Sequence, residues 1–336
     1  MKVDGTISLD LDQAGASARD AEAAGYDGGW CPETAHDPFM PLLLAAEQTE
    51  RINVGTSVAV AFARNPMTLA NIGYDLNKFS KGRFILGLGS QVQAHITRRF
   101  SMQWSHPALR MREMISAIKA IWDAWNNGTK LDFRGDFYQH TLMTPFFDPG
   151  PNPYGDAQIM LAGVGQLMTE VAGEVADGFI CHGFTTEPYL RAFTLPALQR
   201  GLAKSGRSLD SFDISAPVFI VTGSNQEEFD IAAAAVRQQI AFYGSTPPYR
   251  GVLEHHGWGD LQRELNLLSR QGKWQEMGTL IDDEMLNAFA VVGEPDTIAP
   301  TLLGRYGDIM DRISFYAPYQ AEPEQWTEMM KTLQAL

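Results

Sequence analysis

Cysteine is scarce in this 336-residue chain: it has two, Cys31 and Cys181, each inside an apolar, strand-like segment. Neither stands at a metal-binding or redox spacing from another cysteine. A disulfide framework and a thiolate metal site are therefore excluded, and both thiols read as small buried residues suited to a reducing compartment. Positive charge is also short, with 26 Lys and Arg against 40 Asp and Glu and a net charge of −14. A chain of that sign is a poor partner for nucleic acid or an anionic membrane, and any anionic ligand must be held by local donors. Long apolar runs are missing too. None approaches the roughly 18 residues of a membrane span, and no basic stretch with an apolar core precedes the first strand, so a cytoplasmic protein is expected. His255-His256 has no partner to complete a metal site, and no metal is expected. There is no internal repeat and no low-complexity tract.

What is present is ordinary globular material, 45% hydrophobic and 20% charged, arranged in a strand–helix alternation. Strands are expected at 3–9, 28–33, 52–60, 83–88, 158–162, 178–182, 213–222 and 311–316. Helices are expected near 13–24, 38–50, 66–79 and 110–125, the last with Met111, Met114, Ile115, Ile118, Ile121 and Trp122 at helical spacing. Strand and helix alternating over this length predict an α/β fold, a (β/α)8 TIM barrel forming one domain over 1–336. The rhythm breaks at 91–157, after the fourth strand, and at 244–290, before the eighth. Connections that outgrow their scaffold tend to carry function. A small hairpin is expected at 131–140.

Residues 82–91, GRFILGLGSQ, end an apolar strand in two glycines, and 159–165 (IMLAGVG) and 178–183 (GFICHG) repeat that grammar. Strand ends without side-chain bulk leave room for a flat or phosphorylated cofactor at the ligand-binding face of a parallel fold. Neither Gly87-x-Gly89 nor Gly163-x-Gly165 completes a dinucleotide fingerprint, because Val92 and Met168 stand where a third glycine belongs.

Three stretches, GTSVAVAFARNP at 55–66, SKGRFILGLGS from Ser80 and ADGFI from Ala176, resemble the luciferase-like flavin and deazaflavin oxidoreductases, in the right order along nearly the whole chain. ETAHDPF at 33–39 and GLGSQVQAH at 87–95 look most like the coenzyme F420-dependent branch. The resemblance implies a cis peptide at Ser57-Val58 behind the cofactor ring, polar contacts from Ser90 and Gln91, and a phosphate seat at Gly163, Val164 and Gly165. A helix starts there at Gln166, and His182 and Gly183 would add to the phosphate side. Relatives often carry an Asp-His pair at the end of the second strand; here Glu33-Thr34 stands in that place, with His36 and Asp37 just beyond.

A deazaflavin transfers a hydride, so the protein's part is to orient it and to move a proton. His36 is the first candidate for the proton donor, then Glu33, then His95, while Thr34 falls on the cofactor side. Trp104, Tyr249 and Trp258, in the two insertions, would line an apolar pocket for a small-molecule substrate. Arg98-Arg99 would meet the acidic tail of F420 or an anionic substrate. The resemblance also implies a homodimer through the helices after strands two and three. The expected activity is hydride transfer between F420 and a compound with a C=C, C=O or C=N bond. Two alternatives stand beside it: an FMN-dependent monooxygenase fed by a partner reductase and oxygen, and a non-catalytic F420 carrier.

Overall fold

The computed structural model describes residues 1–335. Two compact units are distinguished, a larger one of Asp4–Ile180 with Ala197–Asp213, and a smaller one of Met1–Val3, Cys181–Pro196 and the chain from Ile214 onward. Among the described residues no helix is long and apolar enough to cross a membrane.

The larger unit carries strands β1 (Lys2–Thr6), β2 (Gly28–Cys31), β3 (Asn53–Thr56), β4 (Ala59–Val60), β5 (Phe84–Gly89), β6 (Phe133–Arg134), β7 (Gln139–His140), β8 (Gln158–Gly163) and β9 (Gly178–Cys181). Its sheet runs β1-β2-β3-β5-β8-β9, with β4 also paired to β5. Its strands pair in parallel, for example Asp4 opposite Gly28, Cys31 opposite Thr56 and Leu88 opposite Leu161. Each new strand adds to the same growing edge, without the reversal of order that marks a doubly wound open sheet. These strands are short and nearly all apolar because helices cover their outer side.

The helices start and stop where local chemistry directs. Leu11–Ala24 opens on Asp10, whose carboxylate accepts from Asp12 N at 3.1 Å, and closes at Gly25 with φ 107°, a left-handed turn that glycine adopts at least cost. Pro66–Phe79 opens on Asn65, which accepts from Thr68 N at 3.0 Å, with proline in its first turn. Pro107–Asn127 buries the expected face. The tip of the β6–β7 hairpin is held by Glu113, whose carboxylate accepts from Asp136 N at 3.0 Å and Phe137 N at 2.8 Å.

The third strand differs from expectation. It is not continuous over 52–60 but stops at Thr56 and resumes as β4, with a cis peptide at Ser57-Val58 between.

In the smaller unit β10 (Asp213–Val221) lies between β11 (Ala290–Val292) and β12 (Arg312–Tyr316), again parallel, with Phe219 meeting both Tyr316 and Ala290. Strand β11 was not foreseen, its three residues being too few to stand out from the preceding helix. The stretch expected as an insertion at 244–290 is largely helical: Arg250–His255, Leu261–Arg270, Trp274–Gly278 and Asp283–Phe289 pack beside Gln226–Gly244. Together they share a core that includes Phe184, Val236, Ile240, Leu265 and Phe289. That layer is built by apolar burial, not by loop conformation.

Candidate functional site

The strand-end glycines of the larger unit divide by what surrounds them. A Cβ on Gly87 would lie 1.8 Å from the Thr56 carbonyl oxygen, and one on Gly89 would lie 2.6 Å from Val58 Cγ2. A Cβ on Gly163 would meet Met168 Cγ at 2.9 Å. These glycines admit the chain's own bulge and a neighbouring helix, so the room inferred from sequence at the end of β5 is taken by the protein itself. Gly165 is different: a Cβ there would meet nothing within 4 Å. It caps Gln166–Val175 with no side-chain cap, leaving the helix's first N–H groups free of a capping side chain. Open space beside free N–H groups suits an anion.

The bulge at Ser57-Val58 is tied to the end of β2. Ser57 N donates to Cys31 O at 2.9 Å and Glu33 N to Val58 O at 3.2 Å. Val58 and Ala162 pack against a small cluster of Trp30, Ile85, Met160 and Ile180, so the backing surface at this bulge is apolar.

Residues 33–37 form a strap beyond β2. The Glu33 carboxylate accepts from Val60 N at 2.7 Å and from Arg64 Nη1 at 2.6 Å, and its side chain is 6% exposed. Arg64 Nη2 reaches Asp37 at 2.7 Å, and the guanidinium lies 5.2 Å from the centre of the Phe39 ring. Burial works against the charge on Arg64, but Glu33 and then Asp37 outweigh it and hold the guanidinium above its ordinary range. Arg99 Nη2 donates to the Thr34 carbonyl at 2.5 Å, fixing the strap at a further point. A carboxylate engaged this way acts as an acceptor. Glu33 thus holds the strap, whereas His36 sits exposed between the anchored ends, with Thr34 also exposed.

At the end of β5, Gln91 takes φ 59°, Ser90 Oγ donates to Gln91 O at 3.1 Å, and the Gln91 side chain accepts from Val92 N at 2.9 Å. His95 is exposed on the helix Gln93–Arg98. Trp104 meets Phe62 edge-on at 5.7 Å, and Arg110 lies 5.1 Å over the same Phe62 ring. Of the three expected pocket aromatics, Trp104 belongs to the larger unit, and Tyr249 and Trp258 to the smaller one.

In the smaller unit His182 stands among aromatic rings, with Tyr249 at 4.5 Å and Tyr243 at 4.6 Å. Its Nδ1 accepts from Phe184 N at 3.0 Å. Burial pushes the imidazole down to about 4, so it is neutral at pH 7. With Nδ1 accepting, the proton of the neutral ring is on Nε2. The ring thus offers an uncharged N–H donor. A Cβ on Gly183 would face Tyr316 and Pro217 at 3.3 and 3.4 Å, a tight fit that the neighbours would have to relieve. Tyr243 and Tyr316 share a hydroxyl contact of 2.8 Å. Trp258 stacks on His256 at 4.5 Å and 12°, and His256 Nε2 meets Thr186 Oγ1 at 2.8 Å.

Sequence reasoning missed Arg64 and Tyr316. Arg64 had a findable signal, a lone cation opposite two carboxylates on the neighbouring strand end. Tyr316 lay in an apolar strand, where nothing distinguished it from core. Among the described residues no group of three or more His, Cys, Asp or Glu could hold a metal ion.

Comparison with known proteins places these features. The uncharacterized protein Rv1360 of Mycobacterium tuberculosis is 55% identical over 313 residues, 93% of this chain and 92% of that protein. The 5,10-methylenetetrahydromethanopterin reductase of Archaeoglobus fulgidus is 27% identical over 286 residues, covering 83% of this chain and 81% of its own. The solved coenzyme F420-dependent tetrahydromethanopterin reductase of Methanopyrus kandleri superposes with a TM-score of 0.78 at 21% identity, over 98% of this chain and 96% of that one. That likeness shows the fold, a (β/α)8 TIM barrel. The family model for luciferase-like monooxygenases matches residues 2–311. With strand order, the bulge at Ser57-Val58 and this match in agreement, the chain belongs to the luciferase-like monooxygenase family, whose members are oxidoreductases and monooxygenases.

Proposed function

We propose that this protein is a coenzyme F420-dependent oxidoreductase that moves a hydride between the deazaflavin and a small organic substrate at a C=C, C=O or C=N bond. The names of its relatives among F420-dependent dehydrogenases and oxidoreductases favour F420 as the cofactor. The observation that carries the cofactor seat is Gly165, where a Cβ would enter open space at an uncapped helix start, unlike Gly87, Gly89 and Gly163.

In this reading Gly163, Val164 and Gly165 hold the phosphate through backbone N–H groups. Ser57 and Val58 support the ring from behind, and Thr34, Ser90 and Gln91 meet its polar edges. F420 supplies the carbon that gives or takes the hydride. The chain's own work is to hold the strap so that His36 can give or take a proton, with His95 as the second candidate. Glu33 keeps the strap in place through Arg64 and Val60.

Gly165→Val tests the seat. F420 affinity is expected to fall more than about tenfold with little change in the unfolding midpoint, since the Cβ meets no protein atom within 4 Å. Unaltered affinity would move the phosphate elsewhere.

The family's monooxygenase description supports a second reading, an FMN-dependent oxygenase supplied by a reductase. We also propose a homodimer through the helices Phe39–Gln48 and Pro66–Phe79, which expose Met40 and Phe79 at 60% and 50%. Met40→Glu with Phe79→Glu should yield a monomer by light scattering; an unchanged mass would place the interface elsewhere. The two buried free cysteines suit a cytoplasmic site of action.

A further inference from the structure

We propose that the ring cluster around His182 recognises the substrate, and that it selects an uncharged cyclic or aryl compound bearing a hydrogen-bond acceptor, a ketone above all. The proposal deepens the oxidoreductase reading and rests on it for the step after binding, while binding itself is open to test without cofactor.

The choice of ligand follows from which groups are present and how their protons are placed. The hydrogen bond from Phe184 N to His182 Nδ1, at 3.0 Å, leaves Nε2–H as the ring's only donor. Tyr249 lies tilted over that ring at 4.5 Å and Tyr243 stands edge-on at 4.6 Å, both half-buried. Of the Tyr243 and Tyr316 hydroxyls, 2.8 Å apart, one donates to the other and one proton is left over. Burial, helped by Tyr243, holds the Tyr249 phenol up at about 12, so it too stays neutral. The cluster therefore presents donors without charge.

Each class of ligand can be weighed against that surface. An anion would surrender water for no counter-charge, because Arg250, next in sequence to Tyr249, is already committed to Glu254 at 2.6 Å. A pure hydrocarbon would stack well but leave the donors unpaired. An uncharged ring with a carbonyl satisfies both the aromatic faces and a donor. The Phe184 N–H accounts for the acceptor at Nδ1 and leaves the Nε2–H donor for another partner.

The test uses the full-length protein and a matched set of probes: 1-tetralone, tetralin (the same rings without the carbonyl) and 1-naphthyl phosphate. Affinities are read by intrinsic fluorescence and saturation-transfer NMR. We expect 1-tetralone to bind at least about fivefold tighter than either other probe, the value of roughly one net hydrogen bond. His182→Asn keeps an acceptor for Phe184 N while its shorter side chain draws the N–H donor back from the Nε2 position, and should bring 1-tetralone and tetralin within about twofold of each other. Tyr249→Phe, which keeps the ring, serves as the second variant if His182→Asn does not fold, and should reduce the same preference. Tighter binding of 1-naphthyl phosphate, equal binding of all three, or an undiminished preference in the folded variants would overturn the proposal. A parallel F420 titration keeps the two readings apart: weak F420 binding would remove the cofactor assignment and leave the tetralone preference standing.

Discussion

The strap beyond β2 and the ring cluster around His182 solve opposite problems. The strap is ionic and fully committed, with Arg64 bonded to Glu33 and Asp37 and the Thr34 carbonyl bonded to Arg99. The cluster is uncharged, with His182 and Tyr249 both held neutral by burial. Salt bridges of this kind fix geometry, because breaking one side strands a buried charge. Neutral rings with an outward donor give little rigidity but can discriminate among ligands. The exposed His36 belongs to the first region and the half-buried His182 to the second; in the readings proposed above, the same residue type is a proton carrier in one and a recognition donor in the other.

The sharpest way to break this account begins with the bulge that the strap braces. Gly87→Ala would set a Cβ 1.8 Å from the Thr56 carbonyl, backbone against backbone, and should cost more than about 4 kcal/mol or abolish soluble expression. Gly165→Ala, into open space, should leave the unfolding midpoint where it was. Similar thermal unfolding of the two variants would refute the division of the glycines.

Next in size is Arg64→Met. With the Glu33 side chain 6% exposed, loss of the guanidinium leaves an unpaired, nearly buried carboxylate, and about 3 kcal/mol of stability should go with it. A loss no greater than that of an ordinary surface substitution, measured by urea unfolding, would show that the strap is held by something else.

The cluster predicts a pH dependence of definite sign. Burial lowers His182 from 6.5 to about 4, so between those values the unfolded chain binds more protons than the folded one. Stability from this group is present in full above pH 6.5 and is lost as pH falls toward 4, by at most ~3 kcal/mol. His182→Asn should flatten that part of the midpoint-against-pH curve; an identical slope in wild type and variant would contradict the burial argument. The smallest structural effect belongs to His36→Ala. It should leave the midpoint and F420 affinity alone while lowering turnover about a hundredfold, the usual scale for a proton donor. Full turnover would pass the role to His95.

Much of the fold could be read from the chain because strand and helix periods, proline at helix starts and glycine at turns are local signals. The helix Pro66–Phe79 and the strand ending at Gly89 fall close to where those signals place them. Breaks in a strand are harder: residues 52–60 are rich in β-branched side chains on both sides of the break, so the interruption at Ser57-Val58 was available only through family resemblance. The glycines misled for a related reason. A missing side chain reports a close approach without saying whether ligand or protein makes it, and at Gly87 and Gly89 it is protein. Arg64, lying 31 residues from Glu33 in sequence, and the Tyr243–Tyr316 pair, 73 apart, depend on tertiary contact that no local pattern encodes.

The most direct test of the central claim is a pair of equilibrium titrations of the purified protein, one with F420 and one with FMN, followed by ligand fluorescence. Saturable F420 binding at least about tenfold tighter than FMN is the predicted result. Preference for FMN would contradict the deazaflavin assignment and make the protein a flavin-dependent oxygenase of the same family.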